Sequence, residues 1–240
     1  MLKMFAKLML QTFDADWGWR GGELDLLAGG PPCQGFSINA PVRSAEDSRN
    51  HLFLEFLRFV NEFEPRAVLI ENVPGLISFE KGRTLGEILE ALGNLGYGAD
   101  VRVLYAPHFG VPQTRWRTIV IGLRGVDIPP EVFPSPTRVA PRRVNFTSKW
   151  QGRALVQPEP IALPPHTTVA DAIGDLPALD SGEKYPTLGE YPVEPQNVYQ
   201  RRLRTGSAGV TNHEAPRLSA LNLERFKYIP VGGQLDRYTA

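Results

Sequence analysis

The alternation of apolar and polar residues predicts short strands and amphipathic helices in the first half of the chain. Leu24–Ala28 is an apolar run of strand length, and two glycines and two prolines at residues 29–32 end it. Between residues 50 and 63 apolar residues recur at helical spacing, which predicts an amphipathic helix that Pro65 ends. Arg66–Ile70 then has the apolar character of a buried parallel strand.

The same alternation continues to about the middle of the chain. Thr84–Gly96 is predicted as a second helix, with Thr84 and Glu87 as a capping box at its start. Val101–Tyr105 and Thr118–Leu123 are predicted as two further strands that pair antiparallel. Strands that alternate with helices indicate an α/β fold, here a doubly wound, mostly parallel sheet.

Composition divides the chain after Gly125, because 15 of its 22 prolines follow that residue. We therefore expect an α/β catalytic domain in residues 1–125 and a Pro-rich, basic, largely irregular region in residues 126–240. Short helices are predicted within that region at Thr168–Leu179 and Leu218–Pro230.

Charge adds a local feature to this picture, although the formal net charge is zero. The stretch from Val132 to Pro158 contains five basic residues and no acidic one, which is typical of a phosphate-binding surface or of an ordinary solvated loop. The single cysteine excludes an intramolecular disulfide. The spacing of His, Cys, Asp and Glu also predicts no metal site.

That single cysteine, Cys33, is the strongest candidate for chemistry. It follows the first predicted strand, where open α/β sheets place their ligand crevice. A buried structural cysteine is the alternative, but packing does not require the Gly-Gly-Pro-Pro before it or the Gln-Gly-Phe-Ser after it. None of the four histidines stands in a motif typical of a cysteine hydrolase.

Two further groups stand at predicted strand ends. Glu71 follows the strand Arg66–Ile70 and would lie beside Cys33 if the two strands are neighbours. Gln113, Arg115 and Arg117 alternate, so an extended backbone would place them on one side, where two guanidinium groups suit an anion or a base. A solvated glutamate and a polar strand face are the alternatives.

The three segments GGPPCQGFS, ENV and QTRWR, at residues 29–37, 71–73 and 113–117, resemble motifs of the cytosine-5 DNA methyltransferases and occur in that family's order. The resemblance implies an S-adenosylmethionine-dependent methyltransferase fold. It also implies a monomer that methylates carbon 5 of cytosine in double-stranded DNA, after extruding the base and forming a covalent adduct with it.

The resemblance also implies roles for individual residues. The site residues fall into three groups: Cys33, Glu71 and Arg115 for catalysis; Pro32 and Leu52 for S-adenosylmethionine; and Gln34, Ser37, Gln113 and Arg117 for DNA. No metal is implied. Residues 126–240 would lead into the region that recognises the target sequence.

The sequence departs from the family pattern at both ends. Only 32 residues precede Cys33, and they contain no Phe-x-Gly-x-Gly cofactor turn. The family's C-terminal motifs are not found either. A fragment of such an enzyme is therefore expected, with a truncated, cofactor-deficient and inactive chain or an RNA cytosine methyltransferase as alternatives. The expected location is the cytoplasm of a prokaryote or the nucleus of a eukaryote.

Overall fold

A computed structural model describes residues 21–31, 51–141, 144, 146, 148–156, 158 and 162–229 of the chain. The chain divides into two compact units, Met1–His166 and Thr167–Ala240. Its strands are β1 (Leu26–Gly29), β2 (Ala67–Asn72), β3 (Tyr97–Tyr105) and β4 (Trp116–Arg124). Its helices are α1 (His51–Phe63), α2 (Gly75–Ser78), α3 (Arg83–Asn94), α4 (Gln151–Ala154), α5 (Val169–Ile173), α6 (Val198–Arg204) and α7 (Ala220–Phe226). Short 3₁₀ turns lie at Phe79–Gly82, Ala106–Phe109 and Pro130–Val132.

The four described strands form one open sheet in the order β1-β2-β4-β3. β1 pairs parallel with β2, and α1 forms the connection between them. β2 and β4 pair antiparallel, as do β3 and β4. The α/β class and the antiparallel pairing of the last two strands are therefore confirmed, and the described sheet is mixed, with one parallel and two antiparallel pairings.

The sheet has one deeply buried face, because alternate residues of each strand point to opposite sides. Val68, Val103 and Val120 lie on the buried face and pack with apolar residues of α1 and α3 in one core. At the end of β1 the helix α1 approaches closely: a Cβ added at Gly29 would lie 2.5 Å from the ring of Phe56. The opposite face of the sheet carries half-exposed residues.

The predicted capping box of Thr84 and Glu87 at the start of α3 is wrong. Gly82 is the N-cap residue and no side chain caps the helix. Thr84 already lies inside the helix, and its hydroxyl donates to Oε2 of Glu80 at 3.4 Å. Glu80 and Lys81 both adopt left-handed backbone conformations before Gly82, so the chain reverses direction before the position where the sequence pattern places the cap.

Part of the Pro-rich region completes the core of the first unit. Phe146 and Ala154 are buried in the same hydrophobic cluster as the sheet. The indole Nε1 of Trp150 donates to the carbonyl of Gly82 at 2.9 Å, and the hydroxyl of Ser148 donates to the carbonyl of Ile77. Residues beyond 125 thus stabilise the turn before α3. The assignment of distinct roles to residues 1–125 and 126–240 stays a prediction.

We expect Gly82→Ala to lower the free energy of unfolding by about 2–4 kcal/mol, because two costs combine there. Gly82 has φ +83°, and an added Cβ would lie 2.6 Å from Cδ1 of Trp150. Gly93, inside α3, is the matched control: an added Cβ meets nothing within 4 Å. Gly93→Ala should raise the stability by about 0.5–1 kcal/mol. Urea unfolding followed by circular dichroism measures the free energy of unfolding of both variants. Equal changes in the two variants would contradict this explanation of the role of Gly82.

The second unit contains α5, α6 and α7 and a buried ion pair. Nε and Nη2 of Arg204 both donate to Oδ2 of Asp175, at 2.8 and 2.6 Å. The guanidinium of Arg204 also lies over the ring of Tyr191, 3.7 Å from its centroid. Thr168 and Asp171 form a capping box at the start of α5. α6 is a helix that the sequence pattern does not predict.

Candidate functional site

The ends of β1 and β2 meet at one edge of the sheet, because the two strands are parallel. The carboxylate of Glu71 lies against the backbone of Gly30: a Cβ added there would stand 3.3 Å from Oε2. Gly30 precedes Cys33 by three residues in the sequence. The predicted adjacency of β1 and β2 is therefore observed, whereas Cys33 itself lies outside the described residues.

Glu71 is ion-paired with Arg117, whose Nε contacts Oε1. The pairing register explains this contact. Glu71 lies opposite Ile119 of β4, and Arg117 is two residues before Ile119, on the same face of the sheet. The Glu71 side chain is 45% exposed and that of Arg117 is 22% exposed. The pair is thus reachable from solvent on the face opposite the core.

A groove of about 510 Å³ lies beside this pair. Its lining combines two guanidinium groups, two hydroxyl groups and apolar side chains, contributed by Leu104, Ala106, Phe109, Arg115, Arg117, Pro134, Ser135 and Thr137. Arg115 and Arg117 therefore lie on one side, as their alternation predicts. Gln113 is exposed, and its backbone N–H donates to the carbonyl of Val111 within the preceding turn. It is not part of this lining.

Trp116, between the two arginines, points to the other side of the sheet. Its ring stacks on Tyr105 at a centroid distance of 4.4 Å and meets Phe146 edge to face at 5.5 Å. Tyr105 in turn contacts the ring of the buried His108 at 5.1 Å. Burial raises the pKa of the Tyr105 hydroxyl. This aromatic cluster fixes the start of β4, where Trp116 stands between the two arginines.

Two buried polar residues at this edge are not among the predicted site residues, although one of them, Asn72, belongs to the ENV segment. Asn72 is 5% exposed: its Nδ2 donates to the carbonyl of Pro31 at 3.1 Å, and its Oδ1 accepts from the N–H of Val73 at 2.8 Å. Thr118, which lies opposite Asn72 in β4, donates to the carbonyl of Val73 at 3.2 Å. Both residues follow the same alternation as the buried apolar residues of their strands. A polar residue at such a core-facing position is the signal that could have identified them.

The remaining predicted site residues are distributed as follows. Pro32, Cys33, Gln34 and Ser37 lie outside the described residues. Leu52 lies in the first turn of α1 and is half-buried. A contact between Leu52 and S-adenosylmethionine stays a prediction.

The basic stretch between Val132 and Pro158 is partly neutralised by an ion pair within the fold. Nη2 of Arg153 pairs with Oδ1 of Asp100 at 3.0 Å, and Arg102 contacts the other carboxylate oxygen. Lys149 lies over the ring of Trp150. Arg142 and Arg143 are outside the described residues. A phosphate-binding role for this stretch stays a prediction.

Within the described ranges, no group of three or more His, Cys, Asp or Glu side chains is arranged to hold a metal ion. Among the helices of those same residues, none has the length and apolar character required to span a bilayer.

Comparison with known proteins identifies the family. Residues 11–222 match the family described as C-5 cytosine-specific DNA methylase. The chain belongs to the C-5 cytosine-specific DNA methylase family. The resemblance carried by the three sequence motifs is thereby confirmed, and the matched range extends across both compact units.

Two type II methyltransferases are among the most similar members of this family. The chain is 38% identical over 220 residues to M.AgeI of Thalassovita gelatinovora, covering 90% of this chain and 50% of that protein. It is 36% identical over 213 residues to M.DdeI of Desulfomicrobium norvegicum, covering 88% of this chain and 46% of that protein. The chain thus spans about half the length of these curated relatives.

A solved structure supports the methylase fold. It is of a protein described as a DNA modification methyltransferase encoded within an E. coli prophage, and it superposes with a TM-score of 0.55 at 24% identity. The match covers 93% of this chain and 59% of the solved one. The described open sheet is accordingly part of a methyltransferase-type α/β fold.

Proposed function

We propose that the protein formed by this chain methylates carbon 5 of cytosine in double-stranded DNA. Membership of the methylase family supports the reaction class. The observation that carries the proposal is the position of Glu71, a carboxylate at the end of β2 that lies against Gly30 and pairs with Arg117. A carboxylate and a guanidinium group thus meet next to the segment that leads to Cys33.

Cys33 is the nucleophile in this proposal. Carbon 5 of cytosine is a poor nucleophile, so the Cys33 thiolate adds to carbon 6 and the electron pair moves into the ring. S-adenosylmethionine supplies the methyl group to carbon 5. Loss of the carbon 5 proton to a base then re-forms the ring double bond and expels the sulfur. The positive charge of Arg115 favours the thiolate form that attacks.

Glu71 acts on the opposite side of the ring. As sulfur adds to carbon 6, negative charge develops at ring nitrogen 3, and the Glu71 carboxyl group donates a proton there. The same carboxyl group accepts from the exocyclic amine, which would distinguish cytosine from thymine or uracil. Without DNA, Glu71 is held by Arg117. Engagement of Arg117 by DNA would release the Glu71 carboxylate, which takes up a proton from solvent before it donates to ring nitrogen 3, and nitrogen 3 returns that proton when the sulfur leaves.

The DNA contacts follow from the need to reach a base that is stacked in a duplex. The target cytosine leaves the stack at a cost of a few kcal/mol, which contacts to the base and to the backbone offset. Gln113 and Arg117 are the described candidates for these contacts, and Gln34 and Ser37 are the candidates next to Cys33. Arg115 and Arg117 line a groove with Ser135 and Thr137, which suits a phosphate.

Leu52 and Pro32 are the candidate contacts for S-adenosylmethionine, with Leu52 contributing apolar surface from the first turn of α1. In this proposal residues 1–125 form part of the catalytic domain and residues 126–240 lead into target recognition. The protein acts as a monomer, in the cytoplasm of a prokaryote or the nucleus of a eukaryote.

A covalent trap tests the proposal. Duplex DNA with random sequence and 5-fluorocytosine in one strand is incubated with the chain and S-adenosylmethionine. Fluorine cannot leave as a proton does, so the adduct should persist through denaturation and mass spectrometry should place it on Cys33. DNA with ordinary cytosine is the control. Absence of an adduct, together with no micromolar binding of S-adenosylmethionine in calorimetry, would favour the inactive-fragment alternative.

A further inference from the structure

The side chain of Asn72 joins two segments that are 41 residues apart in the sequence. Its Nδ2 donates to the carbonyl of Pro31, and its Oδ1 accepts from the N–H of Val73. Because a carbonyl can only accept and an N–H can only donate, these partners fix the orientation of the amide. The side chain is 5% exposed, so both bonds are shielded from water.

We infer that Asn72 is a positioning residue for the Cys33 thiol. By holding the Pro31 carbonyl, it sets the path of the chain two residues before Cys33 relative to Glu71, its own neighbour in β2. This inference rests on the function proposed above, in which Cys33 and Glu71 act on the same base.

Two features of this segment limit its backbone pairing with β2. The ladder between β1 and β2 ends where Gly29 lies opposite Ile70. Pro31 and Pro32 have no N–H groups, so neither can donate to continue the ladder. The carbonyl of Pro31 is a group through which β2 holds this segment, and Asn72 is the side chain that binds it.

Alternation along β2 gives the two neighbours separate tasks. Glu71 points to the half-exposed face, where it meets Gly30 and Arg117. Asn72 points to the buried face with Val68 and Ile70 and is not among the residues that line the groove. Asn72 therefore acts through the backbone rather than on substrate. Misplacement of a reacting group by about 1 Å can cost about 100-fold in rate, so such a tether affects catalysis.

Asn72→Ser is the most informative variant. Serine shortens the side chain by one atom, so its hydroxyl does not reach the carbonyl of Pro31, and it adds no charge. Asn72→Asp is a second variant, which retains the acceptor and the size while removing the donor. Thr118→Val is the matched control: it removes another buried side-chain hydrogen bond, the one to the carbonyl of Val73, without touching Pro31.

The first experiment needs neither DNA nor cofactor. Because Cys33 is the single cysteine, the rate of alkylation by iodoacetamide reports on that thiol alone. Rates are measured from about pH 6 to about 9.5, around the ordinary thiol pKa of about 8.5. The alkylation rate of the folded wild type should differ from that of the urea-unfolded chain. In Asn72→Ser this rate should shift at least about threefold from the wild-type value toward the unfolded value. Thr118→Val should stay near the wild type. A wild-type rate equal to the unfolded rate, or an unchanged rate in both Asn72 variants, overturns the inference.

The second experiment separates positioning from folding. With fluorocytosine DNA at saturation, Asn72→Ser should form the Cys33 adduct about 10- to 100-fold more slowly, while its Kd for DNA stays within about twofold. A loss of thermal stability and DNA affinity with no separate loss of adduct rate would assign Asn72 to the fold alone. A wild type that forms no adduct would defeat the proposed function, and alkylation would still decide the role of Asn72.

Discussion

Cys33→Ser is expected to abolish the covalent adduct with fluorocytosine DNA and to reduce methyl transfer by about 10⁴-fold or more, as when other covalent enzymes lose their nucleophile. A serine hydroxyl is almost wholly protonated near neutral pH, so it does not add to carbon 6 as a thiolate does. Such a loss corresponds to about 5 kcal/mol of transition-state stabilisation. The measurement is the single-turnover rate of transfer of a labelled methyl group to DNA.

Binding provides the control for this variant. Serine differs from cysteine by one atom, so the Kd for DNA should stay within about threefold, equivalent to less than about 1 kcal/mol. Activity within tenfold of the wild type would contradict the covalent mechanism. It would also favour the alternative interpretation, in which Cys33 is a structural cysteine.

Glu71→Gln is expected to slow adduct formation and methyl transfer by about 10²–10⁴-fold, the usual contribution of a positioned acid or base. Glutamine has nearly the same shape as glutamate and can still accept from the exocyclic amine through its oxygen, but it has no carboxyl proton to give to ring nitrogen 3. It also leaves Arg117 without its anionic partner. DNA binding should therefore be maintained or strengthened while the rate falls.

Glu80→Gln is the matched control. Glu80 is also a glutamate paired with an arginine, with 2.8 Å between its Oε2 and Nη2 of Arg83. It lies in the turn before α3 rather than at the edge of the sheet that carries Glu71. The same chemical change at Glu80 should leave the rate of methyl transfer unchanged. Equal losses in the two variants would show that Glu71 contributes charge or stability rather than a proton.

Elements with a clear apolar period are predictable from the sequence alone. The period of 3.6 residues in α1 and the apolar run of β2 give both elements nearly their observed bounds. The position of Glu71 beside the segment that leads to Cys33 is also predictable, because the carboxyl ends of neighbouring parallel strands share one edge.

Contacts that depend on pairing between distant segments are not predictable in this way. The bond from Asn72 to Pro31 requires that β1 and β2 pair in one particular register. The contact between Glu71 and Arg117 requires one particular register between β2 and β4, two strands that are not consecutive in the chain. The left-handed backbone conformations of Glu80 and Lys81 are likewise not predictable from the local sequence, because the surrounding fold maintains them.

The opposite orientation of Glu71 and Asn72 has a consequence for how this protein tolerates insertions and deletions. A shift of β2 by a single residue would exchange the two side chains, placing a carboxylate in the hydrophobic interior and an amide on the half-exposed face. Deletion of one residue between Ala67 and Ile70 should therefore eliminate chemistry and stability together.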